Sequence, residues 1–409
     1  MSYNPAGIGS ISFQAQTTYG TAASGSMTAL ECDAVLPSVT RELFTKDAII
    51  KQGHYYFAPV DGSQHGSNEL SISMPLHGYS STGHQATPTA HAEALFLQSL
   101  MGSLHTATKD PSNSITDAGA STGTINVDGA ATMSHFAAGQ ARAVTNAAGV
   151  YNVGFVTAVD GSNDLTLLNN LASNNEVDSP ILSSLNCFLS TVVAPTFFTF
   201  EWQGLQATGF SKVVLEGCVP TSCEITLDAK AQPMISFAFM CNSATTTTGT
   251  IADQSYTLPI IPAAIGANGA RMMRGNNEIA VSGLTVSIEA THSAALNHNK
   301  SQGVGAMLCT DRTATATFTE LLDSSTDATS AISGADASPL MLQIGNTAGA
   351  IFAMCIPAPQ LLEIGELADQ EGIIGQARTY GGTNYTGDTA TGGAASPDPA
   401  DSDFRIAFL

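Results

Sequence analysis

Between Phe197 and Met240 the chain alternates apolar and polar residues with a period of two. Phe198, Phe200 and Trp202 interleave with Thr199 and Glu201 up to Gly204, and Ile225 and Leu227 interleave with Glu224, Thr226 and Asp228. Ile235, Phe237 and Phe239 close the block. Successive side chains of a strand leave on opposite faces, so this pattern dictates antiparallel strands with one face on a core and the other toward something wet. Such a sheet needs an apolar cover. Just upstream, Ala90, Ala94, Leu97 and Met101 share a helical stripe flanked by Phe96 and Leu100. Thr87 as N-cap, Pro88 at the first helical position and Gly102 as C-terminal cap predict a helix over 88–101. Its expected role is to pack on one sheet's apolar face through Leu97, Leu100 and Met101.

The rest of the chain extends this plan. Residues 1–30 are rich in Gly, Ser, Thr and Ala and read as an N-terminal arm ordered by partners, with a short strand at Ile11 to Gln16. A first β domain is expected over 31–242. In it, strands around Val35 and Ile49 to Phe57 precede a strictly alternating strand at Leu70, Ile72, Met74 and Leu76. The run Asp61-Gly62-Ser63-Gln64-His65-Gly66-Ser67 between them reads as the tip of a long hairpin. Residues 103–195 read as a small β insertion, with short strands at Ile125 to Val127, Val153 to Val159 and Leu165 to Leu168. A Thr-, Pro- and Gly-punctuated stretch over 243–277 reads as a linker. A second β domain over 278–409 alternates at Leu284, Val286 and Ile288 and at Ala314, Ala316 and Phe318. A Pro-led apolar segment at Pro339 follows, then strands at Ile351 to Ile356, Leu361 to Ile364 and Phe404 to Leu409. That order repeats the first half without its insertion and suggests a duplication. The Gly-, Thr- and Asp-rich run 381–402 reads as a mobile loop. The expected fold class is thus mainly β: an antiparallel β-sandwich or half-barrel with one flanking helix.

Composition narrows the function classes. Hydrophobic residues make up 43% of the 409, enough for a large core. Asp, Glu, Lys and Arg together are only 11%, against roughly 25% in ordinary soluble domains. A surface built from Ser, Thr, Asn, Ala and Gly suits burial against copies of itself. The charge is also one-sided, with 13 Lys plus Arg against 34 Asp plus Glu, net -21. Gripping DNA takes clustered cations, and an acidic surface repels it over about 10 Å at 0.1 M salt. That suits a conduit and does not suit a clamp. The seven cysteines are scattered, with no Cys-x-x-Cys pair, and read as reduced, buried thiols. The start, Met1-Ser2-Tyr3-Asn4-Pro5, has neither the basic nor the apolar region of a signal peptide. No apolar run approaches the ~20 residues of a membrane-spanning helix, so no membrane partner is expected.

No group of side chains reads as a reaction centre. Gly119-Ala120-Ser121-Thr122-Gly123 fits the nucleophile-elbow pattern, but that turn needs a buried strand before it and a helix after it, and both flanks here are polar. His65, His77, His84, His91 and His105 cluster loosely without metal-ligand spacing. Gly303-Val304-Gly305 begins a dinucleotide fingerprint, but Leu308 stands where its third glycine belongs. Asp160, Asn163 and Asp164 read as turn chemistry and not as a calcium loop. Glu363, Glu366, Asp369 and Glu371 read as a solvated or lumen-facing strand edge, as do Asp388, Asp398, Asp401 and Asp403 as solvated loop charge. No catalytic residue, metal ligand or cofactor is expected.

The layout resembles a family. An opening arm leads to Glu31, Arg41-Glu42 and Lys46-Asp47, then to a hairpin entering Glu69-Leu70-Ser71-Ile72-Ser73-Met74-Pro75. The helix Ala92-Glu93-Ala94-Leu95-Phe96-Leu97-Gln98-Ser99-Leu100-Met101-Gly102 follows. After a β insertion, Gly217-Cys218-Val219-Pro220-Thr221-Ser222-Cys223-Glu224-Ile225 runs on to Pro233-Met234-Ile235-Ser236-Phe237. This is similar to the major tail tube proteins of long-tailed, siphovirus-like bacteriophages. The resemblance implies a virion protein, made in a host cytoplasm, that polymerises into stacked rings whose inner strands form a β-barrel around a channel. DNA would pass through that channel without specific binding. Ring closure would remove exposed sheet edges, with Asp61 to Ser67, the arm and the terminal loop bridging subunits. Three chains per ring are implied if both halves are tube modules, and six if one is. The implied partners are further copies of the chain and tape-measure, tail-terminator and baseplate or tail-tip proteins. A surface-layer subunit, a capsid-associated protein and an enzyme with dispersed catalytic residues are the competing readings.

Overall fold

The structure is a computed structural model. It describes residues 9–23, 27–33, 37–38, 44–45, 49–51, 54–56, 59–60, 68–78, 90–108, 123–127, 136–145, 149–159, 164–171, 181–206, 209–228, 231–248, 269–297, 299, 304–321, 338–370, 372–383, 385 and 401–409. Those residues form three sheets of four or more strands, all antiparallel, and one helix. The fold is mainly β, as its period-two patterning requires.

The largest sheet has eleven strands and curves as a half-barrel. Its order runs from Thr28–Ala29 through Gly9–Ala15, Phe198–Gln206, Gly209–Asp228, Val281–Leu296, Val304–Leu321 and Ile373–Gly382 to Pro359–Gln370. Gly209–Asp228 is twenty residues long and changes partners along its length. Its first half lies against Phe198–Gln206 and Ser243–Thr248, and its second half against Met234–Cys241 and Val281–Leu296. Met234–Cys241 in turn pairs with Asn68–Pro75. The inward sets line up in rows across these strands, as in Leu70–Phe239 and Ile72–Phe237. Cys223–Ile288–Ala314 and Ile225–Val286–Ala316 continue the same face.

A seven-stranded sheet packs on that face. Its order is Asn277–Glu278, Ala270–Arg274, Leu340–Ile344, Phe352–Ile356, Arg405–Phe408, Ser184–Leu189 and Gly102–Ala107. One apolar core joins the two sheets, with Ile225, Phe237 and Phe318 on one side and Leu342, Met354 and Ile406 on the other. The remaining strands of 103–195 make a separate four-stranded sheet of Thr124–Asn126, Ala141–Thr145, Tyr151–Val159 and Asp164–Leu167. It covers the far face of the seven-stranded sheet, with Ala141 and Phe155 against Met341, Ala353 and Ala407. The middle layer is therefore covered twice. That explains why Leu340–Ile344, Phe352–Ile356 and Arg405–Phe408 are buried at every position, whereas Asn68–Pro75 alternates.

The helix spans Ala92–Met101. Leu97, Leu100 and Met101 are fully buried in the main core. Phe96 meets five rings, those of Phe13, Phe198, Phe200, Phe237 and Phe239, with centroids 4.9, 5.0, 5.8, 5.3 and 5.1 Å away. Gly102 ends the helix in a left-handed conformation at φ 99, its N–H donating to the Gln98 carbonyl. The Leu100 carbonyl accepts from Arg312 Nε at 2.7 Å, so a cation from Val304–Leu321 sits at the negative end of the helix.

Several expectations are corrected. The helix begins at Ala92 with His91 as its N-cap and no side-chain capping bond, not at Pro88; Thr87 and Pro88 lie outside the described residues. A hairpin is present but is not centred on 61–67: Ser38 bridges Glu69 and Phe44–Thr45 pairs with Pro59–Val60, nested around the Lys51–His54 pair. Ile49–Lys51 pairs with His54–Tyr56, and Asn68–Pro75 with Met234–Cys241, because the alternation of Leu70 to Met74 matches that of Ile235 to Phe239. Asp61 to Ser67 themselves lie outside the described residues. In the expected arm, Gly9–Ala15 docks on the chain's own Phe198–Gln206 strand and buries Ile11 and Phe13. In the expected linker, the Thr-rich run Ser243–Thr248 is a strand. Both large sheets take strands from before and after 243–277. The Pro-led segment at Pro339 enters a strand, Leu340–Ile344, and so does not repeat the helix. In the 381–402 run, Gly381 and Gly382 end a strand and 386–400 lie outside the described residues. Finally, not all thiols are free: Cys218 and Cys241, opposite each other on paired strands, form a disulfide. Cys32, Cys187, Cys223, Cys309 and Cys355 are not in disulfides, and burial raises Cys187 and Cys223 well above the usual thiol range.

Candidate functional site

Two surfaces and two charged clusters stand out among the described residues. The first surface is the uncovered face of the eleven-stranded sheet. Pairing aligns Ser73, Ser236, Glu224, Ser287 and Thr315 in one row across five strands. Thr226, Thr285, Thr317 and Thr379 form the next. Hydroxyls bond along these rows, Ser236 to Ser73 at 3.0 Å and Thr317 with Thr379 at 2.9 Å. The acidic side chains among them, Glu69, Glu224 and Glu289, are exposed. The strand segments 68–75, 219–228, 234–241, 281–290 and 313–321 contain no Lys or Arg at all. The face is a hydroxyl carpet with scattered carboxylates.

The second surface is the sheet's open border. Pro359–Gln370 is the terminal strand of its path, paired on one side only, with Ile373–Gly382. Exposed Leu362 and Leu367 lie on it, and Ile373 and Ile374 follow, all more than half accessible. Glu363, Glu366 and Asp369 share this strand and are exposed, as the acidic run implied, whereas Glu371 lies outside the described residues. A twelve-residue strand with one unpaired row of backbone groups and apolar side chains beside it is a pairing template.

The first buried cluster lies at the helix start. Glu93, in the first turn, accepts from His77 Nδ1 at 2.5 Å and lies 3.6 Å from His91 Nε2. Glu31 Oε2 stands 3.7 Å from His77 Nε2. Burial lowers the pKa of His91 from its usual 6.5 by disfavouring the cation, with Glu93 opposing and His77 assisting. For Glu93, burial pushes upward, but the two histidines together outweigh it and its pKa falls below 4.5. The second cluster joins the two large sheets. Glu320 accepts from Arg274 at 3.2 and 2.6 Å and from Arg378 at 2.5 Å, and Arg274 also donates to the Tyr380 hydroxyl at 3.2 Å. The first cluster is a hydrogen-bonded carboxylate–histidine group and the second is ion-paired, and both tie elements together inside the fold.

Of the histidines grouped by sequence, His77 and His91 come together on Glu93, while His105 bonds Gln140 at 3.2 Å; His65 and His84 lie outside the described residues. No group of three or more His, Cys, Asp or Glu among the described residues has the arrangement of a metal site. Gly123 is the described part of the elbow-like run, and Asp164 accepts from Asn126 at 2.7 Å, as turn and strand chemistry requires. Gly305 and Leu308 sit within a strand, not a phosphate-binding turn. Asp403 accepts from the Tyr385 N–H at 2.7 Å. The Arg274–Glu320–Arg378 cluster gave no sequence signal, because its members are 46 and 58 residues apart. No family model and no curated protein matches the chain.

Proposed function

We propose that this chain is a structural subunit that associates through its sheet borders into stacked rings, forming a hollow tube of the kind built by major tail tube proteins of long-tailed bacteriophages. The observation that carries this reading is the hydroxyl-rich face of the half-barrel, free of Lys and Arg over the segments 68–75, 219–228, 234–241, 281–290 and 313–321, with Lys212 elsewhere on the sheet paired to Glu201. A surface facing only solvent has no reason to omit Lys and Arg over five adjacent strand segments. A bore through which DNA slides has one, because each cation would bind phosphate and release counterions. At physiological salt the screening length is about 8 Å, so carboxylates on the wall repel a duplex only at close approach, which keeps it from adhering.

The open border at Pro359–Gln370 supports the same reading. Closing a ring across it satisfies the unpaired backbone row and covers Leu362 and Leu367. The subunit then acts without catalysis or cofactor, in a virion tail, with its own copies as principal partners and length-setting and end-capping proteins at the tube's ends. If both halves of the chain serve as tube modules, three chains close a ring; if one does, six do. Negative-stain microscopy of the purified chain at rising concentration tests the proposal. Hollow tubes or closed rings are expected, with ring mass fixing the number of chains. A chain that stays monomeric up to millimolar concentration overturns it. The Cys218–Cys241 disulfide favours a second reading, an extracellular structural protein such as a surface-layer subunit, since disulfides persist in oxidising compartments. That reading expects flat lattices in the same micrographs.

A further inference from the structure

A cavity of about 330 Å³ opens where the two large sheets meet at one end. It lies between the end of Gly209–Asp228 and the start of Val281–Leu296 on one side, and the Ala270–Arg274 and Asn277–Glu278 pair on the other. Leu227, Met272, Leu284 and Leu342, all buried, give it an apolar floor. Arg271 reaches into its lining. The side chain is 13% exposed and ion-paired with Glu278, and its buried Nε and Nη1 have no acceptor at hydrogen-bond distance among the described residues. The nearest carboxylate, Glu278 Oε2, is 3.7 Å from Nε, too far for a hydrogen bond, and its own side chain is 67% exposed. Asp228, also exposed, stands at the same opening.

This combination is unusual in a packed protein. A buried donor without an acceptor is destabilising, and chains remove such groups unless something satisfies them. Burial also lowers the Arg271 pKa against the opposing pull of Glu278. Arg274 and Arg378 hold a close acceptor in Glu320. Arg271 instead faces this space with two donors that lack a close acceptor.

We infer that this cavity is a binding site for a small zwitterion with an apolar body, chemically an apolar α-amino acid, independent of the assembly surfaces. The carboxylate meets the Arg271 donors that lack a close acceptor, a charge-assisted contact that water-filled space does not match. The apolar side chain lies on Leu227, Met272, Leu284 and Leu342. The ammonium faces outward toward Asp228 and Glu278. A ligand with only a carboxylate would add a third negative group to a mouth that already holds two, which is why the amine belongs to the assignment. The size agrees, because pockets for small ligands begin at about 300 Å³.

Isothermal titration of the full-length chain at low salt with L-leucine and L-phenylalanine tests this, beside 4-methylpentanoate and 3-phenylpropanoate, which lack the amine. Saturable binding of an amino acid is expected, weakened about tenfold or more in Arg271→Met and weakened to a lesser degree in Asp228→Asn. Arg271→Met removes buried donors that lack a close acceptor, so its melting temperature without ligand should equal or exceed that of the parent, which separates lost binding from lost folding. No saturable heat with either amino acid, or binding unchanged in Arg271→Met, overturns the site. Equal affinity for the amine-free acids overturns the zwitterion assignment. Tube formation is read separately and is unaffected by either result.

Discussion

Phe96 shows how much of this fold rests on single side chains. It enters a pocket of five aromatic rings contributed by three segments far apart in sequence, so removing it leaves a void that no neighbour can fill. Phe96→Ala should cost about 3–5 kcal/mol in chemical denaturation; a loss below about 1 kcal/mol would mean the rings collapse onto the gap. Glu320 is a different case. It is the carboxylate shared by two arginines inside the core, and Glu320→Gln leaves both buried cations without it, for which about 3–5 kcal/mol is again expected. The helix-start cluster sets a pH dependence. Native His91 is held neutral, so below its ordinary 6.5 the unfolded chain takes up a proton that the folded one resists. Glu93 is held ionised, so below 4.5 the same imbalance appears again. Both contributions are present above those values and are lost as pH falls. Melting temperature should therefore drop from pH 7 to pH 4, and the part between pH 7 and 5.5 should shrink in His91→Gln. The groups facing His91 are Glu93 and His77, with the Phe408 ring 4.5 Å away, and none of them reverses that sign.

At the scale of elements, what could be read in advance follows the distance over which each element is decided. Strands with one wet face announce themselves residue by residue. Leu70 to Leu76, Ile235 to Phe239, Leu284 to Ile288 and Ala314 to Phe318 all lie where alternation placed them. The helix body was equally plain, because its stripe of Ala94, Leu97 and Met101 is local. Its start was not. Thr87 and Pro88 carry the sequence signature of a cap, but the residue that anchors the first turn is Glu93, and its partner His77, itself beside Glu31, comes from outside the helix. The disulfide was hidden for the same reason, since only strand register sets Cys218 opposite Cys241 across 23 residues. The cavity around Arg271 is hidden more deeply, because it exists only where two sheets meet. The Pro359–Gln370 border makes a prediction of its own. Leu362→Lys with Leu367→Lys puts two cations on an exposed edge, a device that blocks strand addition. Polymer should disappear from micrographs, while unfolding free energy stays within about 0.5 kcal/mol per site, as for other exposed positions.

For the molecule as a whole, the three layers explain why a chain so poor in charge stays folded. The middle sheet needs no polar face, the outer sheet spends its polar positions on hydroxyls, and the insertion hides what would otherwise be a large apolar surface. Removing the insertion's own sheet, for example by replacing 109–180 with a short Gly-Ser link, should expose Met341, Ala353 and Ala407 together. The shortened chain should bind a hydrophobic dye and aggregate, whereas the parent should not. A shortened chain that stays soluble and dye-silent would show that the insertion is ornament.

The position of Arg405–Phe408 has a temporal meaning. This strand lies between Phe352–Ile356 and Ser184–Leu189, in the interior of the seven-stranded sheet. Ser184–Leu189 and Phe352–Ile356 therefore both leave the ribosome before the strand that joins them exists. Until then the strands on either side wait as two unjoined pieces, with apolar faces open to whatever is nearby. The seven-stranded sheet can therefore close only after Arg405–Phe408 has been made, later than both strands it joins.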